Sequence, residues 1–128
     1  MTPFASQITF LDLTDYAAGT EFLTQVLGLE PIYDIGWAAV YGVAGKAFLG
    51  LVHHPGPEAN RGAGLLISLT TDRIEAWHRR IGARVQVSPI AEVQGAGLRS
   101  FFFTGPEGYR FEVQQFTEED GKKLFCQW

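Results

Sequence analysis

Residues 8–28 read ITFLDLTDYAAGTEFLTQVLG, and residues 65–82 read LLISLTTDRIEAWHRRIG. Each stretch opens on a short β-prone run and passes through a threonine-aspartate pair able to cap a helix. Each then continues with apolar residues at helical spacing and closes on glycine. In the first, Ile8 to Leu13 is the expected strand and Tyr16 to Leu27 the expected helix. Its buried side carries Ala18, Phe22, Leu23, Val26 and Leu27, and Gly28 is the left-handed closing residue. In the second, Leu65 to Thr70 is the strand and Arg73 to Ile81 the helix, with Ile74, Trp77 and Ile81 inward and Gly82 closing. The two capping aspartates, Asp15 and Asp72, stand 57 positions apart (72 − 15).

Working outward, each strand-helix pair is followed by three β-like runs. After the first come Leu29 to Asp34, Trp37 to Val43 and Ala47 to Val52; after the second, Arg84 to Ser88, Leu98 to Thr104 and Tyr109 to Phe116, the last two joined by the turn Gly105-Pro106-Glu107-Gly108. A connector rich in proline and glycine divides the halves, so the chain reads as two βαβββ modules. The expected organisation is one domain over 1–128, with module one at about 6–53, connector 54–64, module two at about 65–116 and a C-terminal tail at 117–128. Two units this small are expected to pair their sheets around a shared cleft.

The 128 residues are 46% hydrophobic and 19% charged, which excludes a disordered chain, and no apolar run is long enough to span a bilayer. A net charge of −4 without a basic stripe argues against nucleic acid as a partner. The single cysteine, Cys126, cannot form an internal disulfide. Together with a start lacking a basic n-region and a long apolar h-region, this points to a cytoplasmic protein.

Three passages resemble the vicinal oxygen chelate superfamily, the group of glyoxalase I, extradiol dioxygenases and bleomycin-resistance proteins. They are FLTQVLGLEP (Phe22 to Pro31), LLISLTTDRIEAW (Leu65 to Trp77) and GPEGYRFEVQQF (Gly105 to Phe116), the last similar to that family's DPDGNxIEL hairpin. The resemblance covers nearly the whole chain. It implies an α+β fold in which two βαβββ modules form an open U-shaped mixed sheet around a shared cleft that binds small molecules. It also implies a divalent metal held by a residue early in the first strand and another in the last strand of each module. Counting back seven residues from Asp15 and Asp72 puts the first-strand positions on Ile8 and Leu65, and the last-strand positions fall on Gly50 (or Leu49) and Glu112. Glu112 alone carries a donor, whereas catalytic sites for zinc, nickel or iron take about three or four protein ligands. The chain is therefore expected to use no metal and no cofactor. His53 and His54, next to Pro55-Gly56-Pro57, read as loop residues, and His78, beside Arg79 and Arg80, as a surface residue.

Alternation along the strands assigns side chains to the cleft if the resemblance holds. Ile8, Phe10 and Asp12 share one face. Phe48, Gly50 and Val52 join them, as do Leu65, Ile67 and Leu69, and Arg110, Glu112 and Gln114. Trp37, Ala39 and Tyr41 alternate on another strand, and Arg99, Phe101 and Phe103 on a further one; most of these aromatics, Phe101 to Phe103 especially, can equally be core. The candidate ligand-binding set is Phe10, Trp37, Tyr41, Phe48, Arg99, Phe101 and Glu112. A carboxylate in such a lining is either paired, with Arg99 or Arg110, or shifted so that it can act as an acid or base.

The expected function is metal-independent binding of a small hydrophobic or aromatic molecule, in a homodimer. The alternative is an enzyme of the same superfamily, of lyase or dioxygenase type, metal-free with Glu112 or Asp12 as general base or with a rebuilt metal site.

Overall fold

The computed structural model describes residues 3–56 and 61–126. The chain forms two compact units, Met1–Arg61 and Gly62–Trp128, each built on a four-stranded mixed sheet. With three α-helices among the described residues, the fold is α+β, and the βαβββ order of the first unit recurs in the second.

In the first unit the elements are β1 (Gln7–Leu13), α1 (Tyr16–Glu21), β2 (Pro31–Asp34), β3 (Ala38–Ala44) and β4 (Ala47–His53), with strand order β1-β4-β3-β2. β1 lies parallel to β4, Phe10 opposite Gly50 and Asp12 opposite Val52; the other pairings are antiparallel. Asp15 caps α1 by accepting the Ala18 N–H at 3.0 Å. The expected single helix changes pitch, because Phe22–Val26 forms a π-helical turn before Gly28, at φ 69°, closes it. The turn helps bring Phe22, Leu23, Val26 and Leu27 onto one buried side against Leu11, Leu13, Tyr41, Leu49 and Leu51 of the sheet. Burying each such side chain contributes about 1.5–3 kcal/mol.

The second unit holds β5 (Leu66–Thr70), α2 (Ile74–Gly82), β6 (Ala91–Val93), β7 (Leu98–Thr104), β8 (Arg110–Phe116) and α3 (Glu119–Phe125), with strand order β5-β8-β7-β6. Again first and last strands run parallel, Ser68 opposite Glu112. Ile74 and Ile81 of α2 are buried, as are Phe101, Phe103, Phe111 and Val113 of the sheet; the Phe103 and Phe111 rings stack at 5.3 Å. The expected tail includes α3, whose Phe125 stacks on Phe116 at 5.0 Å.

Local structure departs from expectation at residues 84–88, at Asp72 and Gly82, at His78, and at His53, which is the last residue of β4 and donates its N–H to the Trp37 carbonyl. Residues 84–88 form no strand: the Arg84 and Val85 N–H groups both bond to the Ile81 carbonyl at the end of α2. Ser88 Oγ accepts the Phe102 N–H where a ladder carbonyl would stand, and Pro89 has no N–H to give. The edge strand forms later, at β6. Asp72 does not cap α2. The N-cap is Arg73, one residue on, while Gln115 Oε1 accepts the Ile74 N–H at 3.1 Å and Thr71 Oγ1 the Arg73 N–H at 3.0 Å. Gly82 lies within the helix and does not take a left-handed conformation after it. His78 is also more engaged than a surface histidine: its Nε2 lies 2.9 Å from the Ser88 carbonyl and its ring stands edge-on to Phe101 at 4.8 Å.

Helix α1 meets the sheet through Gly19, which is buried, and a Cβ there would fall on the Leu13 side chain. Gly19→Val is expected to lower unfolding free energy by about 1–3 kcal/mol despite valine's better helix propensity, measured by urea denaturation of the whole chain. The Tyr16 hydroxyl is buried with no hydrogen-bond partner among the described residues. Burial, reinforced by the negative charge of Asp34 and then by Tyr41, raises its pKa above the usual 10.0. The folded state thus resists ionising Tyr16, so its contribution is complete below pH 10 and falls away as pH climbs beyond that. Tyr16→Phe is expected to be neutral or stabilising at pH 7 and to flatten the alkaline loss of stability, read by denaturation at pH 7 and above pH 10.

Candidate functional site

The register divides each sheet into a helix-covered face and an open one. In the first unit Ile8, Phe10, Asp12, Ala38, Val40, Phe48, Gly50 and Val52 share the open face, because Phe10 pairs with Gly50, Gly50 with Val40, and Val40 with Tyr33. Toward one end of that face is a pocket of about 220 Å³ lined by Phe10, Tyr33, Ile35, Trp37, Val40 and Val52, together with Ala38 and Ala39. The turn from β2 to β3 shapes it. Asp34 Oδ1 accepts the Gly36 N–H at 2.8 Å, the Ile35 N–H reaches the Ala38 carbonyl at 3.0 Å, and Gly36 takes φ 95°, a left-handed conformation suited to glycine. Trp37 ends this turn, immediately before β3, and lines the pocket. Its carbonyl accepts the His53 N–H at 2.8 Å while its ring remains 60% exposed.

This separates Trp37 from Tyr41. Tyr41 pairs with Leu49 on the helix-covered face and is only 2% exposed, so it packs in the core and does not reach the pocket. Phe101, expected at the ligand, is likewise fully buried, opposite Val113 on the helix-covered face of the second sheet. Arg99 lies on that same face, its guanidinium donating to Glu75 of α2 at 2.8 Å; the hydrogen bond from Arg99 holds the Glu75 carboxyl below the usual range. Arg99 therefore does not pair with Glu112. Phe48 lies on the open face, half-buried beside Ile8 and outside the pocket lining. Asp12 lies there too, one pairing from the pocket residue Val52, with its Oδ2 3.4 Å from His54 Nδ1 and both side chains at least half exposed.

The open face of the second sheet carries Leu66 and Phe102 but also a row of polar side chains. Ser68 Oγ donates to Glu112 Oε1 at 2.5 Å, and Gln114 Nε2 donates to Thr70 Oγ1 at 3.2 Å. Glu112 is buried, and its carboxylate accepts this serine hydroxyl. Because Ser68 shares a face with Glu112, so do Leu66 and Thr70, whereas Ile67 and Leu69 pair with the helix-facing Phe111 and Val113. The first-strand position on the Glu112 face is thus Leu66, one residue beyond the expected Leu65, in step with the later cap at Arg73.

These placements bear directly on a metal. Ile8 and Gly50 in the first unit and Leu66 in the second carry no donor, which leaves Glu112 alone of the four positions, and a Cβ at Gly50 would collide with the Phe10 ring, which occupies the room a side chain there would need. Among the described residues no three of His, Cys, Asp and Glu converge in a manner able to hold a metal ion. The residues present do not fit the metal that the fold implies, and no chemistry is routed through one.

Residues 10–113 match the Glyoxalase/Bleomycin resistance protein/Dioxygenase superfamily, and the chain belongs to it. Similar solved structures include a lactoylglutathione lyase from Agrobacterium tumefaciens, at 20% identity and TM-score 0.71, covering 97% of this chain and 98% of that one. A glyoxalase/bleomycin resistance protein/dioxygenase from Nocardioides shows 21% identity and TM-score 0.74, over 92% and 87% of the two chains. The bleomycin-binding protein of Streptomyces verticillus, complexed with copper(II)-bleomycin, shows 19% identity and TM-score 0.66, over 93% and 100%. At these identities the likeness is one of fold. No curated protein matches the sequence.

Sequence reasoning missed Tyr33, Ile35 and Val40 in the pocket and Ser68 beside Glu112. The first two were legible as i, i+2 neighbours at the end of β2, but Ser68 needed the register of β5 on β8. If the Phe10 ring takes the room above Gly50, Gly50→Ala is expected to cost about 1–3 kcal/mol by overpacking, and to cost clearly less when Phe10→Ala is already present. A double-mutant cycle by urea denaturation reads that coupling.

Proposed function

We propose that this protein captures a small, flat, apolar or aromatic molecule by contact, without a metal, in the pocket formed by Phe10, Tyr33, Ile35, Trp37 and Val52. The observation that carries this reading is the pocket itself: three aromatic rings about half exposed or more, around a hollow with no charged side chain in its lining. Leaving such rings in water forgoes stabilisation that a planar ligand would restore, on the order of 1 kcal/mol per stacked ring beyond its buried area. Glu112, held by Ser68, is proposed to set polar selectivity on the second sheet's open face. The reading includes a cytoplasmic homodimer, in which a second copy covers apolar surface such as Ile8 and Ile32; no described helix is long and apolar enough to cross a membrane.

A second reading draws on the Asp12–His54 pair beside the pocket: proton-transfer catalysis on a bound ligand, with Asp12 orienting the imidazole.

A thermal-shift screen of planar aromatic and quinone-like compounds tests the first reading. Trp37→Ala is expected to weaken the hits while leaving ligand-free stability close to wild type, since Trp37 is 60% exposed. Tyr41→Ala, in the core, is expected to cost about 3–5 kcal/mol without any ligand. Glu112→Gln should alter the ranking of compounds more than it alters the melting temperature. A Trp37→Ala loss as large as that of Tyr41→Ala would overturn the pocket assignment. Sedimentation at micromolar concentration is expected to give twice the 14.1 kDa chain mass, and a single species near 14.1 kDa would end the dimer proposal.

A further inference from the structure

The two units differ sharply in charge. Within Met1–Arg61 stand Asp12, Asp15, Glu21, Glu30, Asp34 and Glu58 against Lys46 and Arg61, six acids to two bases. Within Gly62–Trp128 eight acids meet eight bases, so the whole net charge of −4 belongs to the unit that carries the aromatic pocket. Neither base of that unit offers an anion site there. Lys46 sits in the β3–β4 turn, six positions along the chain from Val52 and so about 20 Å from it on an extended strand. The Arg61 guanidinium donates to Thr14 Oγ1 at 2.8 Å and to the His54 carbonyl at 3.1 Å.

Resting on the function proposed above, we infer that the ligand of this pocket is a cation: a flat aromatic or quaternary-ammonium compound with a fixed or protonated positive charge. Two independent physical effects favour it. Phe10, Tyr33 and Trp37 line the hollow, and a cation over the face of such a ring is attracted by its quadrupole in a way its neutral isostere is not. The surplus of carboxylates, with Asp12 one pairing from Val52 on the same face, adds a negative field that draws cations and repels anions. A ligand whose recognised end is a phosphate or carboxylate would meet no counter-charge in the lining.

Three nearly isosteric probes test this by equilibrium dialysis against the full chain: N-methylquinolinium, 1-methylnaphthalene and 1-naphthoate. The expected order of affinity is cation, neutral, anion, with the cation preferred over the neutral probe by roughly threefold or more at low salt. Added salt should shrink that preference through screening of the field, leaving the part due to ring contact. Asp12→Asn should narrow it more than Glu21→Gln, a control at the exposed end of α1, and Trp37→Ala should weaken the cation most. If the neutral probe binds as well as or better than the cation, and Trp37→Ala abolishes both, the inference of charge fails while capture of aromatics stands. If none of the three binds, or Trp37→Ala leaves all three unchanged, the pocket is not the binding site and both readings fall.

Discussion

The parallel pairing of first and last strand in each unit is the constraint on which everything else rests. Since successive residues of a strand point to opposite sides, a register of Phe10 on Gly50 and Ser68 on Glu112 decides at once which side chains meet the helix and which remain open. A slip of β1 by one residue against β4 would turn Leu11 and Leu13 outward and bring Phe10 under α1. Burial of those leucines, each worth about 1.5–3 kcal/mol, makes that slip prohibitive. The open face is therefore what remains once the core has been satisfied, and its composition is free to serve binding.

The α+β class, the duplicated order of elements and most strand positions were legible in the sequence, because hydrophobic periodicity and turn residues act locally. β7 was read at its observed bounds, and β1 and β8 to within a residue. What escaped reading depends on partners distant in the chain. α2 is capped through Gln115, 41 residues away, so no local pattern could place its first turn. Residues 84–88 have strand-like composition, yet the Arg84 and Val85 N–H groups are drawn into the end of α2, and at Ser88, whose N–H reaches the Phe102 carbonyl, the side chain and not the backbone accepts the Phe102 N–H. Of the candidate site residues, Phe10 and Trp37 line the pocket and Glu112 faces open on the second sheet. Tyr41, Phe101 and Arg99 went to the helix side. Alternation gave Trp37 and Tyr41 one face, but Trp37 ends the turn just before β3 and lines the pocket, whereas Tyr41 lies within β3 on the helix side.

The two open faces differ chemically within one architecture. Positions related by the repeat carry Phe10 and Gly50 in the first sheet and Ser68 and Glu112 in the second. One pair is a ring folded over a glycine; the other is a carboxylate kept buried by a serine hydroxyl. A buried carboxylate without a hydrogen bond costs several kcal/mol, so Ser68 accounts for how Glu112 persists without an arginine. The same argument explains why the first sheet tolerates no carboxylate at position 50. With Phe10 in place there is neither room for the side chain nor a donor aimed at it.

Coordination chemistry and contact chemistry thus exclude one another at this position of the fold. A metal site needs donors converging on a shared point from several strands, which requires space above the sheet and polar groups to hold each donor in place. Aromatic capture needs that space partly filled by rings whose faces remain accessible. Once Phe10 occupies the room over Gly50, restoring a carboxylate at 50 demands a smaller residue at 10, and a smaller residue at 10 removes a wall of the pocket that Trp37 and Tyr33 share. The two substitutions are physically coupled, because the Phe10 ring occupies the room that a side chain at position 50 would need.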